Sequence, residues 1–561
     1  MHRTPALALL LASGTALAAD DFSRLAPPDA GLVVSVANYA TAKQLLLATP
    51  LGRLTQTPDI AAAIEEARKQ QMESFEALTT ELGIDVEEWP EPAGMLGLAL
   101  IARPIPDAEE WAPQFDQLFV VAADFGDRIT EVQAILDAVV DQGLDQGLID
   151  VQIDNVGDVE VITITVIPEV DDPDAPQPGD PLDEAPAGLR GMLAGLDTAA
   201  IAIQDSTLYV GAETALVMDM LDRARGSDIR SIADDVQFAA SLAQHPDNSS
   251  DYAVLFPGRM GFLEGLITGM LIPPPLDAVQ ILTDLGITNM KAVSLAADLQ
   301  PADDAQVEFT LGILDPEKSG LVSLFDLTYG PWNPPAFVTP DAFAATRLLV
   351  DFPRLPEVAR EFFTTLPPEL QDQAAFAFEQ AMGFVDTIAP LVGPEVYLIQ
   401  TLERPFAAAP TQVFAIPTSD QLPISNLLVL ASQGGLNPRD FGGTKIYDDP
   451  SGALSLAVAY GHFFVGSPTA VESALRLASA DAGDSLAGDP AFQSAMRPHD
   501  STGNALQFTR LLDLLDYTIW AAQNIREIQN QALRDAGWSE DDIAQFVPPD
   551  TTPQWLSLIH I

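Results

Sequence analysis

The chain has 561 residues, 47% apolar and 19% charged, and its 26 Lys and Arg against 81 Asp and Glu give a formal net charge of −55. At about 100 to 200 residues per domain, this length predicts two to four domains, each with its own core. The charge excludes nucleic acid and anionic bilayers as partners, since both are bound through Lys/Arg clusters. The absence of cysteine excludes disulfides, thiolate catalysis, Cys-ligated zinc and a lipid-modified N-terminal Cys.

Residues 1–19 read as a cleavable signal peptide. His2-Arg3 form a positive start, Ala6 to Ala12 an apolar stretch and Ala16-Leu17-Ala18 the small-x-small cleavage pattern, which places cleavage near Ala18/Ala19. No later stretch offers the ~20 uninterrupted apolar residues of a membrane span, because Pro273-Pro274-Pro275 interrupt the best candidate, Leu263 to Leu285. The expectation is an exported, soluble protein, periplasmic or secreted. A carboxylate-rich surface with few lysines further suggests a saline habitat.

From Leu32 onward the pattern is strand, long helices, alternating strands, helix, strand, helix, and the pattern then recurs. Residues 201–221 (IAIQDSTLYVGAETALVMDML) align with 456–476 (LAVAYGHFFVGSPTAVESALR), placing Tyr209 on Phe464 and Gly211 on Gly466 at an offset of 466 − 211 = 255. Downstream, Phe238 falls on Phe492 and His245 on His499, with 499 − 245 = 254. Upstream the match is weaker: 116–121 (DQLFVV) resembles 411–416 (TQVFAI), and Pro28-Asp29 and Pro340-Asp341 each precede a strand. Two homologous modules are therefore expected, 20–320 and 341–556, each α+β with a mostly antiparallel or mixed sheet covered by helices. Residues 321–340, within which TYGPWNPPAFVTPD begins at Thr328, read as a semi-rigid Pro-rich linker.

In the first module, 170–186 (VDDPDAPQPGDPLDEAP) reads as a solvated acidic loop between a strand at 160–167 and a helix at 187–195. That module also continues into two strand-like runs, 290–299 and 305–314, for which the second has no equivalent. The tail 557–561 resembles read-through of non-native sequence, so the second module is expected to lack its closing strands.

Three histidines remain after the signal and tail are set aside. His245 and His499 recur at matching positions and are the repeated candidates for a site, but each follows a short helix beside Pro or Asp and reads as a helix-end cap or surface residue rather than a catalytic one. His462 reads as an exposed turn residue with Ser206 as counterpart. Gly483-Asp484-Ser485-Leu486 spells an esterase nucleophile motif, but a helix rather than a buried strand is expected before it, so it reads as a chance match. The acidic loop lacks the regular spacing of a calcium ladder, Asn248-Ser249-Ser250 carries little weight as a glycan acceptor, and the repeated Val-Gly pairs read as strand-to-helix turns. No pattern calls for a metal or cofactor.

The Pro-Asp openings (PPDAGLVVSVANYATAKQLL and PPAFVTPDAFAATRLLVDF), ELGIDVEEW before a strand, and DSTLYVG before an Ala-containing helix resemble domain-of-unknown-function 3352 and related duplicated exported proteins of planctomycete-like bacteria. The resemblance implies export and a repeated α+β architecture, and brings no catalytic residues. The leading expectation is a non-enzymatic binding or structural module whose partner is a protein, glycan or small molecule. An envelope hydrolase using an Asp/Glu pair is the alternative; two carboxylates about 5 to 9 Å apart beside aromatics would mark it.

Overall fold

The run Leu-Val-Val-Ser-Val contains nothing that resists extension, and in the computed structural model it forms β1 (Leu32–Val36). The structure describes residues 21–49, 90–104, 115–167, 198–245, 251–260, 285–300, 306–327, 332–407, 409–479, 485–496 and 504–535, with isolated positions 52, 80, 282 and 283. The chain divides into two units, 1–271 with 290–316, and 272–289 with 317–561.

In the first unit β1 is joined by β2 (Leu96–Pro104), β3 (Phe115–Asp124), β4 (Ile149–Val156), β5 (Val159–Val166), β6 (Thr198–Gln204), β7 (Thr207–Gly211), β8 (Asp251–Leu255), β9 (Ala292–Gln300) and β10 (Gln306–Leu314). They form a 10-stranded sheet in the order β10-β9-β8-β1-β2-β3-β7-β6-β5-β4. Helices α1 (Tyr39–Ala48), α2 (Ile129–Asp145), α3 (Thr214–Ala224) and α4 (Val236–Leu242) pack on it.

The second unit has β11 (Ala342–Leu349), β12 (Glu395–Thr401), β13 (Thr411–Pro417), β14 (Asn437–Phe441), β15 (Thr444–Asp448), β16 (Ser455–Ala459), β17 (His462–Gly466) and β18 (Ala505–Thr509). Their order is β14-β15-β16-β17-β13-β12-β11-β18. Its helices are α5 (Leu355–Thr365), α6 (Pro368–Ile388), α7 (Gln421–Ser432), α8 (Pro468–Ala478), α9 (Pro490–Met496) and α10 (Leu511–Asp535). Read from β4, the first sheet repeats this order strand for strand and then adds β9 and β10, which have no counterpart among the described residues of the second. Every named strand pairing is antiparallel.

Register establishes the equivalence at residue level. Gly211 lies between Val120 and Ala200, and Gly466 between Val413 and Ser455. Val33 pairs with Ala99 and Val254, as Ala345 pairs with Ile399 and Phe508; the offset 345 − 33 = 312 is that of the two Pro-Asp openings, 340 − 28. One alignment shifts. The third strands match with Val120 on Val413, an offset of 293 rather than the 295 that aligns 116 with 411. The amide of Ala212 donates to Phe119 O at 3.0 Å and that of Ser467 to Gln412 O at 3.1 Å, fixing the pair. A slip of two leaves every side chain on its face, so hydrophobic pattern alone does not detect it.

Both faces of the first sheet carry helices. Val161, Ala200 and Ala202 meet Val217 and Met220 of α3 in one core. Alternate residues Ile162, Ile164 and Ile201 point the other way and meet Ile135 and Val139 of α2. Strands apolar on both faces require this double cover.

The Pro-rich stretch is not a free spacer: Trp332, Phe337 and Val338 are buried in the second core. The prolines set an extended path, and the apolar residues between them gain more from burial than from exposure. The unit boundary accordingly falls at 316/317, and residues 272–289 belong to the second unit. There Leu285 O accepts from the Leu321 amide at 3.2 Å, and Asn289 donates to Ser319 Oγ at 2.6 Å. The loop 170–186, the expected helix at 187–195 and the tail 557–561 lie outside the described residues.

The repeated Val-Gly pairs end strands without left-handed backbone. What they need is closeness: a Cβ on Gly466 would stand 2.3 Å from Gln412 O, and one on Gly211 3.0 Å from Val217 Cγ2.

Candidate functional site

His245 follows α4 and is only 8% exposed. Its Nε2 lies 2.8 Å from Ser294 Oγ on β9. Burial pushes the imidazole below its ordinary pKa. The ring thus neither caps the helix nor lies at the surface. A Ser–His hydrogen bond is also the geometry of an activated nucleophile, but Ser294 is 1% exposed and out of reach of a substrate, so the pair ties α4 to β9. His499 lies outside the described residues, as do Gly483, Asp484, the calcium-candidate loop and Asn248 to Ser250. Ser485 is buried and precedes a short 3-10 turn, as its counterpart Ser231 does (485 − 231 = 254).

The second unit holds a polar cluster that the first lacks. Arg347 on β11 donates through Nη2 to Glu395 Oε1, and the Tyr397 hydroxyl donates to Glu395 Oε2. Burial, then the bond to Glu395, push the Tyr397 hydroxyl above its ordinary pKa. His462 opens β17, and its counterpart is Thr207, since 462 − 207 = 255, not Ser206. Its ring meets Phe337 edge-on at 4.7 Å between centroids, with Phe464 at 5.9 Å. Burial lowers its pKa, with the Tyr460 carbonyl and the Glu395 charge pulling it back up. The expectation of an exposed, incidental residue fails because the strand alternation that buries Phe464 aims His462 at the same face.

Register places Ser35, Met95 and Gly97 of the first unit at the positions of Arg347, Glu395 and Tyr397. Phe22 fills the space there, its nearest ring carbon 2.0 Å from where a Cβ on Gly97 would be. Glu395 is a carboxylate beside aromatics, as the hydrolase alternative requires. Both its oxygens are engaged, which suits it to bracing the cluster rather than exchanging a proton.

Sequence reasoning missed a pair of arginines. Arg259 Nη1 donates to Pro28 O at 3.1 Å and Ala30 O at 3.2 Å, and its Nη2 to Asp235 Oδ2 at 2.5 Å. Asp235 also caps α4, accepting from the amides of Gln237 and Phe238. In the second unit Arg510 donates to Ala342 O at 3.2 Å, Pro340 O at 3.0 Å and Asp489 Oδ2 at 2.9 Å, while Asp489 accepts from the Phe492 amide. All the acceptors are equivalent, yet the arginines are not, because 510 − 254 = 256. No alignment column contains both.

An exposed apolar row stands on β10, which among the described residues is an edge of the first sheet. Phe309, Leu311 and Ile313 are 56%, 64% and 47% exposed and stand opposite Ala297, Leu295 and Val293 of β9. Three cross-strand pairs thereby form one apolar ladder, where edge strands usually carry charge or proline. Among the described residues no group of three or more His, Asp or Glu is placed to hold a metal ion, and no helix is long and apolar enough to cross a membrane. No family model, curated protein or solved structure matches the chain.

Proposed function

We propose that the chain is an exported, non-enzymatic protein of the periplasm or cell surface that binds a partner protein through the β9–β10 ladder. The observation that carries this reading is the row Phe309, Leu311 and Ile313, aligned on one face of an edge strand. In a chain of net charge −55, such a row is the kind of surface that association covers. Burying each of these side chains is worth about 1.5 to 3 kcal/mol. The chain's excess of carboxylates favours a partner with a cationic rim, which would speed encounter and make it salt-dependent.

The test is a photo-crosslinking residue at position 311, with a second at exposed Leu454 as control, in cells that export the protein. A discrete adduct from 311 alone, lost on adding Phe309→Asp, is expected. Equal adducts from both positions, or none, would sink the proposal.

A further inference from the structure

Duplication shows what belongs beside β18. In the first unit the Phe256 amide donates to Gly31 O at 2.7 Å. By antiparallel alternation, the even residues of β8 bond to β1, while Asp251, Ala253 and Leu255 turn their backbone groups toward β9, opposite Ala297, Leu295 and Val293. In the second unit the Leu349 amide donates to Asn504 O and the Arg510 amide to Phe343 O, each at 2.7 Å. The even residues of β18 therefore bond to β11, and Ala505, Gln507 and Thr509 turn the same groups outward. Among the described residues β18 ends the sheet, with Ala505 and Gln507 exposed.

From this we infer that the β18 edge is an acceptor for one extended segment of a partner polypeptide, added antiparallel as β9 is added to β8. The chemistry of β9 defines the occupant. Its Ala292, Ser294 and Ala296 are buried, with α4 packed against β9, and Val293 and Leu295 alternate with them. Since α9 is the counterpart of α4, the segment has Ala or Ser at every second position and Val or Leu between. Main-chain bonds supply affinity and the small residues supply selection. This site is separate from the β10 ladder, and neither depends on the other.

The probe is a synthetic peptide of residues 290–300, titrated into the mature full chain and followed by fluorescence anisotropy and by hydrogen exchange of 504–510. Expected are saturable 1:1 binding and slowed exchange in that strand. Gln507→Pro removes an outward amide without deleting a bond to β11 and is expected to weaken binding by about tenfold or more. Independently of that variant's folding, N-methylation of the peptide at Leu295 abolishes binding, while N-methylation at Ser294 spares it. No binding, or binding indifferent to both Gln507→Pro and N-methyl-Leu295, overturns the inference. So does strong protection of 504–510 before peptide is added, which would mean that the chain covers its own edge. A chain dimer that Gln507→Pro dissociates would replace the partner by a second copy.

Discussion

Arg259 and Arg510 bind two carbonyls and a capping carboxylate each, so one side chain joins the chain entering the first strand of each unit to the short helix α4 or α9. Replacing Arg259 by Ala strands a half-buried Asp235 and two carbonyls and is expected to cost about 2 to 3 kcal/mol. Lys, which cannot span three acceptors, should recover less than half; urea unfolding of the first unit measures both. Burial pushes the Asp235 carboxyl up, but Arg259 and the amides of Phe238 and Gln237 outweigh it and hold it low; Asp489 is held low in the same way. These carboxylates contribute stability that is full above their unfolded pKa of about 3.9 and is lost as pH falls below it through their lower folded values. The histidines act earlier. His245 and His462 are held below their ordinary pKa, so the unfolded chain binds protons that the native state refuses. Stability present above the unfolded value of about 6.5 is therefore lost on acidification below it. The melting temperature should fall between about pH 7 and pH 5, and His245→Gln with His462→Gln should flatten that slope; an unchanged slope would exclude these residues as its source.

The strands were largely legible, because apolar alternation and an offset held across some sixty residues are strong signals. The sheet order of the second unit confirms them. Individual side chains were less so. A two-residue slip in the third strand is silent to pattern, and an arginine reaching its site from a different position leaves no trace in an alignment of the halves. The roles of His245 and His462 depend on neighbours far away in sequence, Ser294 and Phe337. Gly97 shows the same limit. As a bare sequence position it is an unremarked glycine in a strand, yet it makes room for Phe22, where the other unit has Tyr397. Gly97→Ala is expected to cost about 1 to 3 kcal/mol by overpacking and Phe22→Ala about 3 to 5 kcal/mol. The double variant should cost less than the sum, because the second change removes the clash made by the first. Strict additivity in thermal denaturation would contradict the packing described.

At the scale of the whole molecule, 81 acidic residues against 26 basic ones leave most carboxylates without a cation. Self-repulsion then opposes compaction and is relieved by screening. Raising salt from about 0.01 M to about 1 M shortens the screening length from about 30 Å to about 3 Å, and the melting temperature should rise throughout. A flat profile would mean that the carboxylates are too dispersed to repel. The topology also has a temporal side. Val33 on β1 lies between Ala99 and Val254, so a chain emerging N-terminus first makes this strand about 220 residues before its second neighbour exists. A shorter delay, 508 − 345 = 163 residues, recurs for Ala345, which awaits Phe508. Each sheet therefore stays unlocked at its first strand until most of that half has been synthesised, and closes with the arrival of one late strand.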